Sequence, residues 1–335
     1  MLRKDSRWGK ILSFVVAGAL CGVLVAGLFL PATAMAGTAL SNSIGMFDRL
    51  PDDLDLNAPP QSSTVLASDA TVIASFYAEN RAPVSLDKMS PFIRDGIVSI
   101  EDARFYQHGG IDTTGILRAL VATAQGGRQG ASTITQQYVN NMIIESLVTQ
   151  GKIDQVKLGY SKTIGDKLRE MKLAIALETK YSKDQILQGY LNIVYFGNGA
   201  YGIEAAAEEY FNVPASALTL SEAAALAGVV NSPVYYDPLT EPDHVVARRN
   251  EVLDKMLQQG HITAPEHDAA VKAPIGLNVH PSSQGCFGAV TAPYFCDYVQ
   301  RLILNDPAFG ADEAARKKLL YLGGLTIHTT LDPAL

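Results

Sequence analysis

The chain is 335 residues long, carries a formal net charge of −7, and is 47% apolar and 18% charged. That length leaves room for one large domain or two with a full core, and the composition excludes an intrinsically disordered chain. A negative net charge without a basic stripe argues against a nucleic-acid partner.

From the N-terminus, Arg3, Lys4, Arg7 and Lys10 precede an apolar run from Ile11 to Leu30, ended by Pro31. At about 1.5 Å rise per residue the run spans roughly 30 Å, the hydrocarbon thickness of a bilayer. Residues 1–36 are therefore expected to form a cytoplasmic tip and a single transmembrane anchor in the cell membrane, with the rest extracytoplasmic. A cleaved signal peptide is the competing reading, because Ala32, Ala34 and Ala36 offer small-residue cleavage sites. The length of the run favours the anchor.

Residues 37–61 are rich in Pro, Asp, Ser and Asn and read as a linker. From Ser63 to Arg81, apolar and polar residues alternate around a Ser68-Asp69-Ala70 turn, which predicts a small hairpin. From Ser90 to about Val271 the signals are helical almost throughout, so 62–275 reads as a mostly α domain. Ser90-Pro91 gives an N-cap followed by proline at the first helical position, and Ile93, Ile97 and Ile100 set the period of the first helix. That helix is expected to run through Glu101 and Asp102 and to break at Gly109-Gly110. Glu101 then sits at the margin of the buried face, where partial desolvation raises a carboxyl pKa towards the range a general acid or base needs.

Gly126 to Gln137 combines flexible glycines with a helix start, with Ser132 as the expected cap, and free amides there can hold an anion. Further on, Ile164, Leu168, Met171 and Ile175 form one apolar row. Glu170 shares another with Leu173, Ala174 and Leu177, and has Lys167 one turn before it. Two carboxylates on separate helices, each beside apolar residues, can divide acid and base roles. Ser182 to Gln185, Thr219 to Glu222 and Thr263 to Glu266 have capping-box spacing, and Gly260 sits where a C-cap glycine belongs. Three glycines between Gly197 and Gly202 imply tight turns. Cys21 lies within the apolar run. Cys286 and Cys296 fall in a Pro/Ser/Gly-rich outer stretch and are candidates for a local disulfide.

Five ordered segments carry a family likeness: Glu101 to His108, Gly130 to Gln137, Lys167 to Glu178, Tyr190 to Phe211, and Leu226 to Pro238. Together they resemble the glycosyltransferase domain of class A penicillin-binding proteins, the peptidoglycan transglycosylases. The resemblance implies a lysozyme-like helical fold with a membrane-facing subdomain. It also implies polymerisation of lipid II into β-1,4 glycan with inversion and release of undecaprenyl pyrophosphate. On that likeness Glu101 is the general base and Glu170 the second essential carboxylate. Arg118, Ser132, Thr133, Gln136 and Gln137 match positions that bind donor phosphates or sugars. Asp102, Phe105 and His108 shape the first motif, and Lys167 and Asn192 complete the candidate substrate-binding set. Implied partners are lipid II, the nascent glycan, the cytoplasmic membrane and cell-wall synthesis or division proteins.

Two positions depart from the family pattern. Asn140 stands where a lysine is usual, and Asp166 stands where an arginine is usual. Both missing cations normally face pyrophosphate. Lys167, Arg169, Arg128 or a divalent ion such as Mg or Mn, held between Asp166, Glu170 and the pyrophosphate, are the candidate compensations, a differently held lipid being the alternative. Residues 276–335 read as a linker, in which Gly323 to Pro333 resembles the strand that leads to a transpeptidase domain. Ser85-Leu86-Asp87-Lys88 is not followed by Lys-Thr-Gly, so that domain is expected to be absent. A lysozyme-like glycan hydrolase and a catalytically weakened scaffold are the alternative functions.

Overall fold

The computed structural model describes residues 61–126, 130, 132–150, 163–280, 284–289 and 291–334. The expected anchor at 1–36, nearly all of the 37–61 linker and the glycine-flanked Arg128 lie outside them. No helix among the described residues is long and apolar enough to cross a membrane.

The body is mostly helical and begins with the expected hairpin. Strands β1 (Ser63–Leu66) and β2 (Val72–Phe76) pair antiparallel, in a register that sets Ser63 opposite Phe76. Ala67 donates its amide to Thr71 across the turn, and Ala70 takes a positive φ there. A two-stranded ribbon joins β3 (Asn80–Arg81) to β4 (Ala200–Tyr201) in parallel.

Helix α1 (Pro91–Glu101) buries Ile93, Gly96, Ile97, Val98 and Ser99. Proline occupies its first turn as expected, but Ser90 makes no side-chain cap and donates its hydroxyl to the Leu218 carbonyl. The helix also stops earlier than the periodicity suggests, at Glu101, and not at Gly109-Gly110. Asp102 leaves helical geometry (φ −157°) because its carboxylate is drawn into tertiary bonds, accepting from His108 Nε2 and from the Ile134 amide. The glycines serve a different purpose. Gly110 has φ +60°, and a Cβ there would lie 2.7 Å from the Ile175 backbone.

Helices α2 (Thr113–Ala124), α3 (Ile134–Thr149), α4 (Ile164–Lys180) and α5 (Lys183–Ile193) follow. The cap of α3 is Thr133, one residue past the expected Ser132, and Gln136 completes its capping box. On α4 the buried row is Glu170, Leu173, Ala174 and Leu177, whereas Ile175 of the alternative apolar row is exposed. Helix α4 carries a capping box of its own, between Thr163 and Asp166. Next come α6 (Ile203–Phe211), α7 (Leu220–Val229), α8 (Pro242–Gln258) and α9 (Ala264–Lys272). The boxes at Ser182, Thr219 and Thr263 form as expected, and Gly260 adopts φ +78° just beyond α8. Alanine-rich α7, from Ala223 to Ala227, is buried on every side, so that α1 and α8 pack closely against it.

One apolar core runs through α1 and α3 to α9, centred on residues such as Ile97, Tyr190, Phe196 and Leu226. Buried Arg249 ties α8 to the end of α9 through the Val271 and Ala273 carbonyls, where a cation complements the helix's negative end. Residues 276–335, expected as a linker, hold α10 (Pro293–Asn305), α11 (Glu313–Leu322) and β5 (Thr326–His328). Strand β5 pairs parallel to β1, giving the order β2-β1-β5. Val65, Ile73 and Phe76 of the hairpin pack with Cys296, Val299, Ile303 and Leu320 in a second core. A disulfide joins Cys286 to Cys296, with the Cα atoms 5.3 Å apart.

Candidate active site

The motif residues converge on a cleft with two adjoining lobes. The larger, of 740 Å³, is lined by Glu101, Arg118, Ser132, Gln137, Arg248 and Lys255, among others. The smaller, of 350 Å³, includes Asn140, Lys167, Glu170 and Tyr195, and shares Ser132, Gln137 and Asn231 with the larger.

Glu101 is the last residue of α1, so its carboxylate meets the negative end of that helix. Its Oε2 accepts a 2.8 Å bond from Gln137 Nε2, and Gln137 Oε1 in turn accepts from the Tyr190 hydroxyl at 2.8 Å. Gln137 is thus held by a fully buried tyrosine and can present only its amide to Glu101. Glu101 Oε1 is buried without a hydrogen-bond partner and lies 4.0 Å from Arg248 Nη2. Burial pushes the Glu101 carboxyl above the usual carboxylate range. The Gln137 bond and the Arg248 charge pull it down, and neighbouring Asp102 adds a smaller push upwards.

Asp102 lines the same lobe, with its carboxylate engaged in tertiary bonds. Its two oxygens lie 2.9 and 3.0 Å from His108 Nε2, and one also receives the Ile134 amide. It fastens the loop after α1 to the start of α3. Phe105 is fully buried, with Lys183 Nζ 4.4 Å from its ring centre, and is a core residue. Gln136 is also buried, and its Oε1 accepts the Thr133 amide. Thr133 caps α3 and donates its hydroxyl to the Gly110 carbonyl. Asn192 clamps the main chain of Val84 by a pair of bonds, from its amide to the carbonyl and from the Val84 amide back to Oδ1. Phe105, His108 and Asn192 thus hold the fold together, whereas Asp102 and Gln136 combine tertiary bonds with a place in the cleft wall.

Arg118, Ser132, Thr133 and Gln137 line the larger lobe, and Gln136 and Lys167 the smaller. Lys167 Nζ donates to Ser132 Oγ at 2.8 Å and to Glu170 Oε2 at 2.9 Å. Glu170 is buried on α4 and faces the smaller lobe from beneath that lysine. Asp166, by contrast, is exposed and accepts from the amide and hydroxyl of Thr163. A divalent ion needs several oxygen ligands. Here one of the two proposed carboxylates caps a helix and the other holds an ammonium. No group of three or more His, Cys, Asp or Glu among the described residues is arranged to hold a metal. The residues present do not fit a resident divalent ion.

The cleft wall on α8 was not indicated by any of the five segments. Arg248 sits over the Tyr236 ring at 5.7 Å, and its Nη1 donates to Glu251 at 2.7 Å. The one signal for it in the sequence is the Arg248-Arg249 pair inside an amphipathic run, whose second member turns into the core.

Residues 69–257 match the family described as Transglycosylase. This chain belongs to the transglycosylase family. Penicillin-binding protein 1F of Bacillus subtilis is 37% identical over 276 residues, covering 82% of this chain and 35% of that protein. Penicillin-binding protein 1A of Escherichia coli is 36% identical over 290 residues, covering 84% and 31%. Penicillin-binding protein 1A of Mycolicibacterium smegmatis is 36% identical, covering 85% and 34%. This transglycosylase chain therefore spans about a third of the length of these curated relatives. Among solved structures, a 2.6 Å crystal structure of penicillin-binding protein 1A from Haemophilus influenzae aligns over 83% of the chain and 28% of its own, with a TM-score of 0.43 and 21% identity.

Proposed function

We propose that this transglycosylase polymerises lipid II into β-1,4 glycan, releasing undecaprenyl pyrophosphate with inversion, with Glu101 as general base. The observation that carries the reading is the state of the Glu101 carboxylate. One oxygen is fixed by Gln137, the other is buried without a hydrogen bond, and the residue lines the larger lobe. A base so desolvated has a raised proton affinity, and the fixed amide and the nearby guanidinium keep it ionisable. It takes the proton from an acceptor sugar hydroxyl as that oxygen attacks the donor's anomeric carbon. The anomeric carbon–oxygen bond to the pyrophosphate breaks on the opposite side, the bonding pair leaving with the pyrophosphate oxygen, which inverts the centre. Arg118 lines the lobe that holds Glu101, and Lys167 lines the smaller one. These cations, with Ser132 between the lobes, suit the negative charge of a pyrophosphate.

The helices around Glu101 support a lysozyme-like arrangement, but a hydrolase needs two carboxyls flanking the scissile bond. Asp102 is the nearest in sequence and is committed to His108 and Ile134. The Ile11 to Leu30 run and the Cys286–Cys296 disulfide support an anchored, extracytoplasmic placement. Cell-wall synthesis proteins are the partners such an enzyme meets.

The deciding experiment uses purified full chain with lipid II, separating the products by size. Glycan polymer from the parent chain, and its loss in a folded Glu101→Gln variant, is the expected pair of results. Muropeptides released from sacculi in place of polymer would establish the hydrolase. No product from either substrate would leave the scaffold reading.

A further inference from the structure

Behind the cleft wall, three charged side chains meet at one buried guanidinium. Arg81 on β3 has a fully buried side chain, and its Nη2 donates to Glu79 at 2.7 Å and to Glu145 on α3 at 2.5 Å. The two carboxylates therefore meet at a single guanidinium nitrogen, and the second oxygen of Glu145 is buried without a hydrogen-bond partner. Two carboxylates crowded on one cation repel each other, and a proton shared between them removes the excess negative charge. With one proton the trio is neutral. Without it, two negative charges face one positive charge in a largely buried site, which is costly.

The trio lies against one wall of the smaller lobe. Arg81 sits over the Tyr201 ring at 5.4 Å, and Tyr201 packs on Tyr195 with ring centres 4.7 Å apart. The two tyrosines also pair through their backbones, and Tyr195 lines the smaller lobe. On the other side, Glu145 follows Ile144, which lines the same lobe, on the helix that carries Gln137. The titratable groups facing Glu79 are Glu145 on α3, Arg81 on β3 and Tyr201 on β4, with Tyr195 behind Tyr201.

We propose that Glu79, Arg81 and Glu145 form a proton-holding latch that fastens α3 to the β3–β4 ribbon, so that loss of the shared proton loosens the Tyr195 wall of the smaller lobe. Burial and the Glu145 charge push Glu79 up to about 8, against the opposing pull of Arg81. The latch is therefore closed at neutral pH and opens above it. For a carboxyl whose folded pKa is raised, the stabilisation is complete below its ordinary value of 4.5 and is lost as pH rises to about 8. The change thus falls within a range a cell envelope can meet.

Glutamine at either position copies the protonated carboxyl, because its amide donates to the remaining carboxylate and cannot lose that proton. The test is hydrogen exchange on the full chain at pH 6 and pH 9, corrected for intrinsic rates. The peptide spanning Tyr195 to Tyr201 is compared with one from α7. In the parent chain the protection of the tyrosine peptide should fall at least tenfold relative to α7 between the two pH values. In Glu79→Gln it should stay constant, and Glu145→Gln carries the same expectation if the first variant does not fold. Equal protection at both pH values in the parent chain overturns the latch, as does an undiminished fall in the glutamine variants. The readout needs no substrate, so the latch stands or falls independently of the glycosyl-transfer reading.

Discussion

Replacing Gln137 by alanine removes the 2.8 Å bond to Glu101 Oε2 without touching the carboxylate itself. A hydrogen bond to a charged group contributes about 1.5–3 kcal/mol, and 1.36 kcal/mol corresponds to about one pH unit. Because that bond favours ionised Glu101, its loss raises the proton affinity further, by roughly one to two pH units. The acidic limb of the kcat/KM profile for glycan polymerisation should move up by that amount. Below the limb, activity should drop by roughly ten- to a hundredfold, while the plateau at higher pH is retained. The Tyr190 hydroxyl also loses its acceptor inside the core, at a cost of about 1–3 kcal/mol of stability, so rates should be read well below the unfolding midpoint. An acidic limb that stays in place refutes the reasoning. So does a loss of activity that is the same at every pH, because a purely structural role would produce that.

Gly110→Ala forces a Cβ to 2.7 Å from the Ile175 backbone at φ +60° and should cost about 2–4 kcal/mol, read as a lower urea midpoint; an unchanged midpoint contradicts the close approach. Chelator should leave lipid II turnover unchanged, since Asp166 caps α4 and Glu170 holds Lys167. A loss that Mg or Mn restores would show that the carboxylates bind an ion after all. Glu101→Gln should abolish polymer formation while leaving the thermal midpoint equal to or above the parent value at pH 8, because a buried charge is removed.

Local features were legible in the sequence because their causes are local. The boxes at Ser182, Thr219 and Thr263 each close within four residues, and the hairpin turn sits between two short alternating runs. The row that buries Glu170 follows from helical spacing alone. What escaped was long-range. Asp102 ends α1 because of partners on His108 and Ile134, which no period reveals. Asp166 read as a misplaced charge, yet it is the N3 residue of a cap that begins at Thr163. Asn192 has a side chain suited to sugars but spends it on the Val84 amide and carbonyl, and Gln136 gives its Oε1 to the Thr133 amide. Arg248 reaches Glu101 only once α7 has brought α8 against α1. Strand β5 finds β1 across nearly the whole described chain, so residues 276–335 carried no local sign of joining a second core.

The β1–β5 pairing has a mechanical consequence. The Thr64 amide bonds to the Leu325 carbonyl, Thr329 to Leu66 and Ser68 to Leu331, so strands from the two ends of the described residues lie side by side in the same direction. A pull that draws residue 61 and residue 331 apart loads these bonds together in shear, and none can peel open before the next. Tension between the two ends passes through this short seam and bypasses the helices that hold Glu101.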